Sequence, residues 1–321
     1  MKTSIFKKIF SPCIILSEFI KSFIIYKYYA NKLKDVDYFD YKKLVNPKFN
    51  TPNHFTSVCL YGNYKAIAKL KKSRFHFLTE YLEHGASLSQ NPEEVTLFGY
   101  IDRPFIKKVY TFANARKAVI EEYLRKHQLK REVFAVGPYI QGVDFFKTKE
   151  QLLELKQKYG RILLVFPSHS IENLQADFNA DNLVEEILRI KDDFDSVFVC
   201  MYWKDALDET KCSFYEKYGF KIVTAGHRSD PHFLNRFKDL IFLSTHTMSN
   251  NWGTHIGYSI CLNKPHYLYH QEIKYKTKDS QEQCVSNNIK NMFNVVFGKY
   301  TKNITPEQIE LVEKYWGTWK F

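Results

Sequence analysis

Between residues 160 and 269 one pattern recurs: a short apolar run, a polar loop, an amphipathic helix, then another apolar run. Residues 161–166 (RILLVF) are continuously apolar yet too few for a helix, as a strand buried on both faces must be. Residues 196–201 (SVFVCM), 221–225 (KIVTA), 240–243 (LIFL) and 266–269 (HYLY) continue the series. Helices are predicted between them. One starts at Asn182 with Leu183, Val184, Ile187, Leu188 and Ile190 as its stripe; one runs over 209–218; a short one over 231–237 has Pro231 at its first position; the last covers 254–262. Strands alternating with single helices make βαβ units, hence a parallel sheet with right-handed crossovers. Ligands of such sheets sit beyond the carboxyl ends of the strands. The loops at those ends are therefore where chemistry is expected.

Three loops stand out. After the first strand, residues 166–172 (FPSHSIE) offer Ser168, His169 and Ser170 to an anion, although the same residues also suit a capping loop. After the third strand, Gly226-His227-Arg228 presents two potential cations, and Asp230 reads as the cap of the next helix. The third loop, residues 249–257 (SNNWGTHIG), is the strongest signal. A polar stretch containing Asn250 opens a helix through Gly253-Thr254-His255, where unsatisfied N–H groups and the positive end of the helix dipole coincide. Gly253 is expected to permit close backbone approach to a phosphate. The spacing is neither GxGxxG nor a P-loop.

The first half is less regular. Residues 57–61 (SVCLY), 75–82, 94–98, 107–112 and 133–136 read as strands, with a helix at 114–126. The stretch 81–87 (YLEHGAS) reads equally as a helix end with a glycine cap. Within it, Glu83 and His84 could serve acid-base chemistry, while a satisfied core histidine fits as well. Asp102-Arg103-Pro104 reads as a turn. A Lys/Glu-rich helix at 149–158 leads into the second half, and Thr305-Pro306-Glu307 opens a final helix. The chain so divides into a basic segment 1–34, an α/β unit 35–145, a second α/β unit 146–300, and a tail helix 301–321 packing back on the body.

Charge narrows the partners. The net charge is +12, but only nine of the 47 basic residues are arginine, and seven lysines against one acid (Glu18) place half of the excess in residues 1–34. Nucleic acid is therefore not the expected partner. In that segment Leu16, Phe19, Ile20, Phe23 and Ile24 form one helical stripe, interrupted too often by polar residues to span a bilayer. With flanking Lys7, Lys8, Lys21, Lys27, Lys32 and Lys34 it suits a helix lying on an anionic membrane; packing on the protein's own body is the alternative. Six scattered cysteines, without CxxC or zinc spacing, suggest a reducing compartment. GxSxG and HExxH are both missing from the sequence.

Taken together, the His-Gly of the first half, residues 136–140 (VGPYI), VFPSHS, GHRSDPHFLNR and SNNWGTHIGYSICLNKPHY resemble GT-B glycosyltransferases of bacterial surface-polysaccharide synthesis. The likeness covers about residues 107–269. It implies two Rossmann-like domains facing a cleft and a nucleotide-sugar donor bound without a metal or other cofactor. Gly253, Thr254 and His255 would hold the donor phosphates, beside Ser168, Ser170 and Asn250. His169, His227 and Arg228 would neutralise the leaving group, and Glu83 or His84 would act as base. The acceptor would be a glycan or lipid-linked glycan, met at the cytoplasmic membrane face. A polyol-phosphate transferase using a CDP-activated donor, and a non-catalytic peripheral assembly protein, are the alternatives.

Overall fold

The computed structural model describes residues 30–45, 60–77, 79–93, 95, 105–170, 175–276 and 287–319, with isolated positions (17, 20, 24, 27 and 28) of a helix before residue 30. Short helix α1 (Tyr41–Val45) and helix α2 (Asn63–Leu70) precede a small parallel sheet. Its strands β1 (Glu80–Leu82), β2 (Lys108–Thr111) and β3 (Glu132–Ala135) lie in sequence order, with α3 (Asn114–Lys126) crossing between β2 and β3. Helix α4 (Lys149–Tyr159) then leads into the second half. It starts at a reciprocal cap in which the Thr148 hydroxyl accepts from Gln151 N–H and the Gln151 side chain accepts from Thr148 N–H.

The large sheet has five strands, all parallel. They are β4 (Ile162–Phe166), β6 (Ser196–Cys200), β7 (Lys221–Val223), β8 (His246–Ser249) and β9 (His266–Leu268), in the spatial order β7-β6-β4-β8-β9. Helices α5 (Ala180–Ile190), α6 (Glu209–Glu216), α7 (Phe233–Leu243) and α8 (Thr254–Cys261) make the crossovers. A separate antiparallel pair joins β5 (Gln175–Asp177) to β10 (Lys274–Lys276). Helices α9 (Asn287–Phe297) and α10 (Pro306–Trp316) follow. The protein is thus a mixed α/β structure with two parallel sheets flanked by helices, compatible with a Rossmann-like layout. The strand order runs outward from β4 in one direction and then restarts on its other side at β8. That reversal opens a crevice between the ends of β4 and β8.

Several sequence expectations need correction. Residues 240–243 are not a strand but the last turn of α7, whose buried Leu240, Ile241 and Leu243 face the core. The strand at this place is β8, whose sequence HTMS carries three polar side chains of four. They are tolerated in the interior because each is bonded: His246 Nε2 to Thr301 O (2.9 Å), Thr247 Oγ1 to His266 Nδ1 (2.8 Å) and Ser249 Oγ to Asn251 O (2.9 Å). Tyr61 ends no strand; it lies in a 3-10 turn, residues 60–62. Helix α5 starts two residues before Asn182, capped by the Asn179 side chain. Most of residues 94–98, and Asp102-Arg103-Pro104, lie outside the described residues.

The two sheets share one core. Leu82, Tyr110, Phe112 and Tyr139 from the first half pack with Ile162, Leu164, Phe166 and Phe198 from the second. Helix α10 joins them, with Trp316 Nε1 donating to the Thr254 carbonyl (3.2 Å). A Cβ on Gly257 would lie 2.3 Å from the Trp316 indole, so a glycine in α8 is what lets the ring dock. Among the described residues no helix is long and apolar enough to cross a membrane. Of the N-terminal stripe, Ile20 and Ile24 are 49% and 55% exposed, whereas Leu16, Phe19 and Phe23 lie outside the described residues.

Candidate functional site at the strand-order reversal

Strands β4 and β8 end level with each other, Phe166 beside Ser249, and the loops that follow are stitched together. Asn250 is fully buried, and its Oδ1 accepts from both the N–H (2.7 Å) and the hydroxyl (2.9 Å) of Ser168. Its Nδ2 donates to Gln271 Oε1 (2.9 Å). Asn250 is therefore a clamp between loops rather than a ligand contact, and the Ser168 hydroxyl is committed to it. Ser170 is likewise structural: its N–H (2.8 Å) and hydroxyl (2.7 Å) both bind the buried Asp205 carboxylate, fixing the β4 loop to the turn after β6. His169 alone of this loop faces outward. Its ring stacks on Tyr202 at 4.3 Å and Nδ1 donates to the Ser170 carbonyl (3.1 Å), which fixes the ring orientation and leaves Nε2 out of that bond. Desolvation by the surrounding protein lowers its pKa, opposed by the Ser170 carbonyl and the Asp205 charge.

The amino end of α8 differs from the expectation in detail. Gly253 is in extended backbone, and a Cβ there would lie 2.7 Å from Cε1 and Nδ1 of His255. The glycine makes room for the histidine ring, not for a ligand. Thr254 Oγ1 accepts from Ala86 N–H (3.1 Å), tying α8 to the first half. His255 packs beside the Phe166 ring (4.9 Å), and its Nε2 is buried without a hydrogen-bond partner among the described residues. Burial, with a smaller contribution from nearby His169, lowers the His255 pKa to about 3. The ring is neutral near pH 7. An anion placed at this end of α8 would meet the first-turn backbone and, beside it, this imidazole.

The first half supplies the opposite wall. Tyr61 N–H donates to the Arg228 carbonyl (2.6 Å), with Tyr61 and Gly62 both in left-handed conformation (φ 60° and 73°). A Cβ on Gly62 would lie 2.5 Å from the Pro231 carbonyl, so the chain passes under the β7 loop only as glycine. Asn63 Nδ2 donates to the His84 carbonyl (2.9 Å), and the Tyr61 and His84 rings lie 6.5 Å apart, nearly parallel. Burial first, then the positive Arg228, lowers the His84 pKa to about 4.

Two expected catalytic residues sit behind this wall. Glu83 is 4% exposed, its Oε1 bound by Arg116 Nε (2.9 Å) and its Oε2 by Thr111 Oγ1 (2.5 Å). It anchors β1 to β2 and α3 and is not placed to take a proton. His227 is 1% exposed, with Nδ1 accepting from Ser229 N–H (3.2 Å) and the Trp203 ring 4.3 Å away; burial, followed by the Arg228 charge, lowers its pKa to about 3. It supports the loop from beneath. Asp230 is not the cap the sequence suggests, because α7 starts at Phe233 with His232 at its N-cap position; Asp230 accepts from His232 N–H (2.8 Å) in the turn before the helix and pairs with buried Arg236 (2.5 Å), which also binds the carbonyls of Leu33 and Val36.

The loops thus bring His84, Arg228, His169 and His255 together at the strand-order reversal, with Tyr61 and Tyr202 between them. Glu83 and Asp205, the carboxylates flanking the group, are paired with Arg116 and Lys211. Tyr61 and Tyr202 were not expected from sequence. Tyr202 was findable, because it follows a strand end like the residues that were chosen; Tyr61 was hidden inside a run that reads as a strand. Among the described residues no group of three or more His, Cys, Asp or Glu could hold a metal ion. No family model matches the chain, and neither does any curated protein.

Proposed function

We propose that the protein is a glycosyltransferase of the GT-B type, moving a sugar from a nucleotide-activated donor to a glycan or lipid-linked acceptor. The observation that carries this reading is the meeting of Arg228, His84, His169 and the amino end of α8 at the strand-order reversal, where a parallel sheet presents its ligand. The donor diphosphate lies against the first turn of α8, with Arg228 opposite it. The acceptor hydroxyl attacks the anomeric carbon while the bond from that carbon to the phosphate oxygen breaks. The nucleotide leaves with the electron pair, and the hydroxyl proton passes to the neutral His84 imidazole. A bound diphosphate raises the proton affinity of His84 by offsetting Arg228. His169 and the helix dipole share the charge that develops on the leaving phosphate. The exposed Ile20 and Ile24, among lysines, support a peripheral position on the cytoplasmic face of an anionic membrane.

A thermal-shift panel of UDP, CDP, GDP and CMP tests the reading. One diphosphate at ~100 times its dissociation constant adds ~2.7 kcal/mol to stability, and the gain shrinks in Arg228→Ala. Selective stabilisation by CDP, with glycerol-phosphate rather than sugar transfer, would favour the polyol-phosphate alternative. No shift with any nucleotide would sink the enzyme reading.

A further inference from the structure

The small sheet carries a second concavity that the crevice does not use. Helix α3 covers one face of this sheet, through Val109, Ile120, Tyr123 and Val133. The opposite face bears Glu80 beside Lys108 and Tyr110 beside Phe134, as the parallel register requires. A cavity of about 350 Å3 opens there, lined by these four side chains together with Lys71 and His76.

Its floor is aromatic. The Tyr110 and Phe134 rings stack at 5.5 Å and 24°, and Phe134 is 36% exposed. Lys108 Nζ lies 5.9 Å from the Phe134 ring centre, and Lys71 Nζ lies 5.1 Å from that of Tyr110. The one carboxylate, Glu80, is buried and saturated: it accepts from Lys71 Nζ (2.5 Å), His76 N–H (2.9 Å) and the Tyr110 hydroxyl (3.1 Å). Lys72 and Arg74, on either side of the lining residue Ser73, are exposed, as is Glu132, the register partner of Lys108. The local field is positive.

An inorganic anion would use the lysines but not the ring, and a neutral sugar the ring but not the lysines. A sugar ring carrying a carboxylate or phosphate uses both. Single-stranded nucleic acid needs successive stacking platforms along a groove, and this pocket exposes one. We infer that the pocket is a binding subsite for an acidic saccharide, which lays its apolar face on Phe134 and its acid group between Lys108 and Lys71. That the ligand is a saccharide rests on the transferase reading; the positive, aromatic character of the pocket does not. Glu80 precedes His84 by four residues, the first three of the segment forming β1, so the two lie within about 13 Å at 3.3 Å per residue. A glycan that reaches the crevice with one unit can therefore touch the pocket with another.

Calorimetric titration of the full chain with trigalacturonate, phosphorylated maltotriose, maltotriose and oligouridylate tests this. Binding of one of the two acidic saccharides is expected, the carboxylate and phosphate arms telling which acid group is used. Affinity should fall about tenfold in Lys108→Ala, the loss of one charge-assisted contact, and fall again in Phe134→Ala. Circular dichroism and the UDP-induced thermal shift should match wild type in both variants. Equal binding of maltotriose, tighter binding of oligouridylate, failure of both acidic saccharides, or indifference to both substitutions would overturn the subsite. Saccharide binding without any nucleotide shift would keep the pocket and reject the transferase reading, so the two can fail separately.

Discussion

Single residues divide into those that touch the crevice and those that hold its walls. His84 belongs to the first group, and His84→Ala should lower the transfer rate by about 10²–10⁴, the usual worth of a positioned base, with little change in melting temperature. An equal loss of both would mark a structural histidine. Glu83 belongs to the second. Replacing it with alanine leaves the buried Arg116 guanidinium uncompensated and should cost about 3–5 kcal/mol, read by urea unfolding; a stable but inactive Glu83→Ala would restore the carboxylate to the chemistry. His227 gives a pH test. Its pKa is lowered to about 3 in the folded protein, so the unfolded state binds more protons below the ordinary value near 6.5. Its contribution is intact above that value and is lost as pH falls from about 6.5 toward 3, at ~1.4 kcal/mol per unit. His227→Gln should therefore flatten the decline of stability between pH 6.5 and 4.5. A decline as steep as in wild type would show that His227 is not held neutral.

At the level of elements, residues 161–166 declared themselves because a buried parallel strand must be apolar on both sides. β8 stayed hidden because two of its polar side chains, Thr247 and Ser249, are satisfied by His266 on neighbouring β9, a property of pairing that no single segment contains. Residues 240–243 drew the strand assignment that belonged to it, since four apolar residues cannot by themselves distinguish a strand from a buried helical turn. The loop choices after β4, β7 and β8 followed from topology, and all three lie at the carboxyl end of the sheet. Which side chains there remain open to a ligand depended on partners far along the chain: Asp205 for Ser170, Arg116 for Glu83, Ala86 for Thr254. Helix α10 makes the same point about a tail that looks peripheral in sequence. Trp316→Ala, which empties the space over Gly257, should destabilise by about 3–5 kcal/mol and loosen the first turn of α8, seen as faster amide exchange at residues 254–258. Unchanged exchange there would uncouple the tail from the crevice.

For the whole molecule the shared core is the governing fact. Units 35–145 and 146–300 correspond to separate sheets, but Phe112, Tyr139, Tyr258 and Trp316 belong to one packed cluster. Scanning calorimetry should therefore give a single transition whose calorimetric and van't Hoff enthalpies agree; two resolved transitions would restore independent domains. The order of strands has a further consequence, for the birth of the protein on the ribosome. Central β4 finds β6 soon after it is made, yet its other edge waits for β8, with Leu163 paired to His246. At 5–20 residues per second that wait lasts about 4–16 s. Throughout it the most apolar strand of the chain has an open flank, and the nascent protein is at its most aggregation-prone just before the residues that close the crevice emerge.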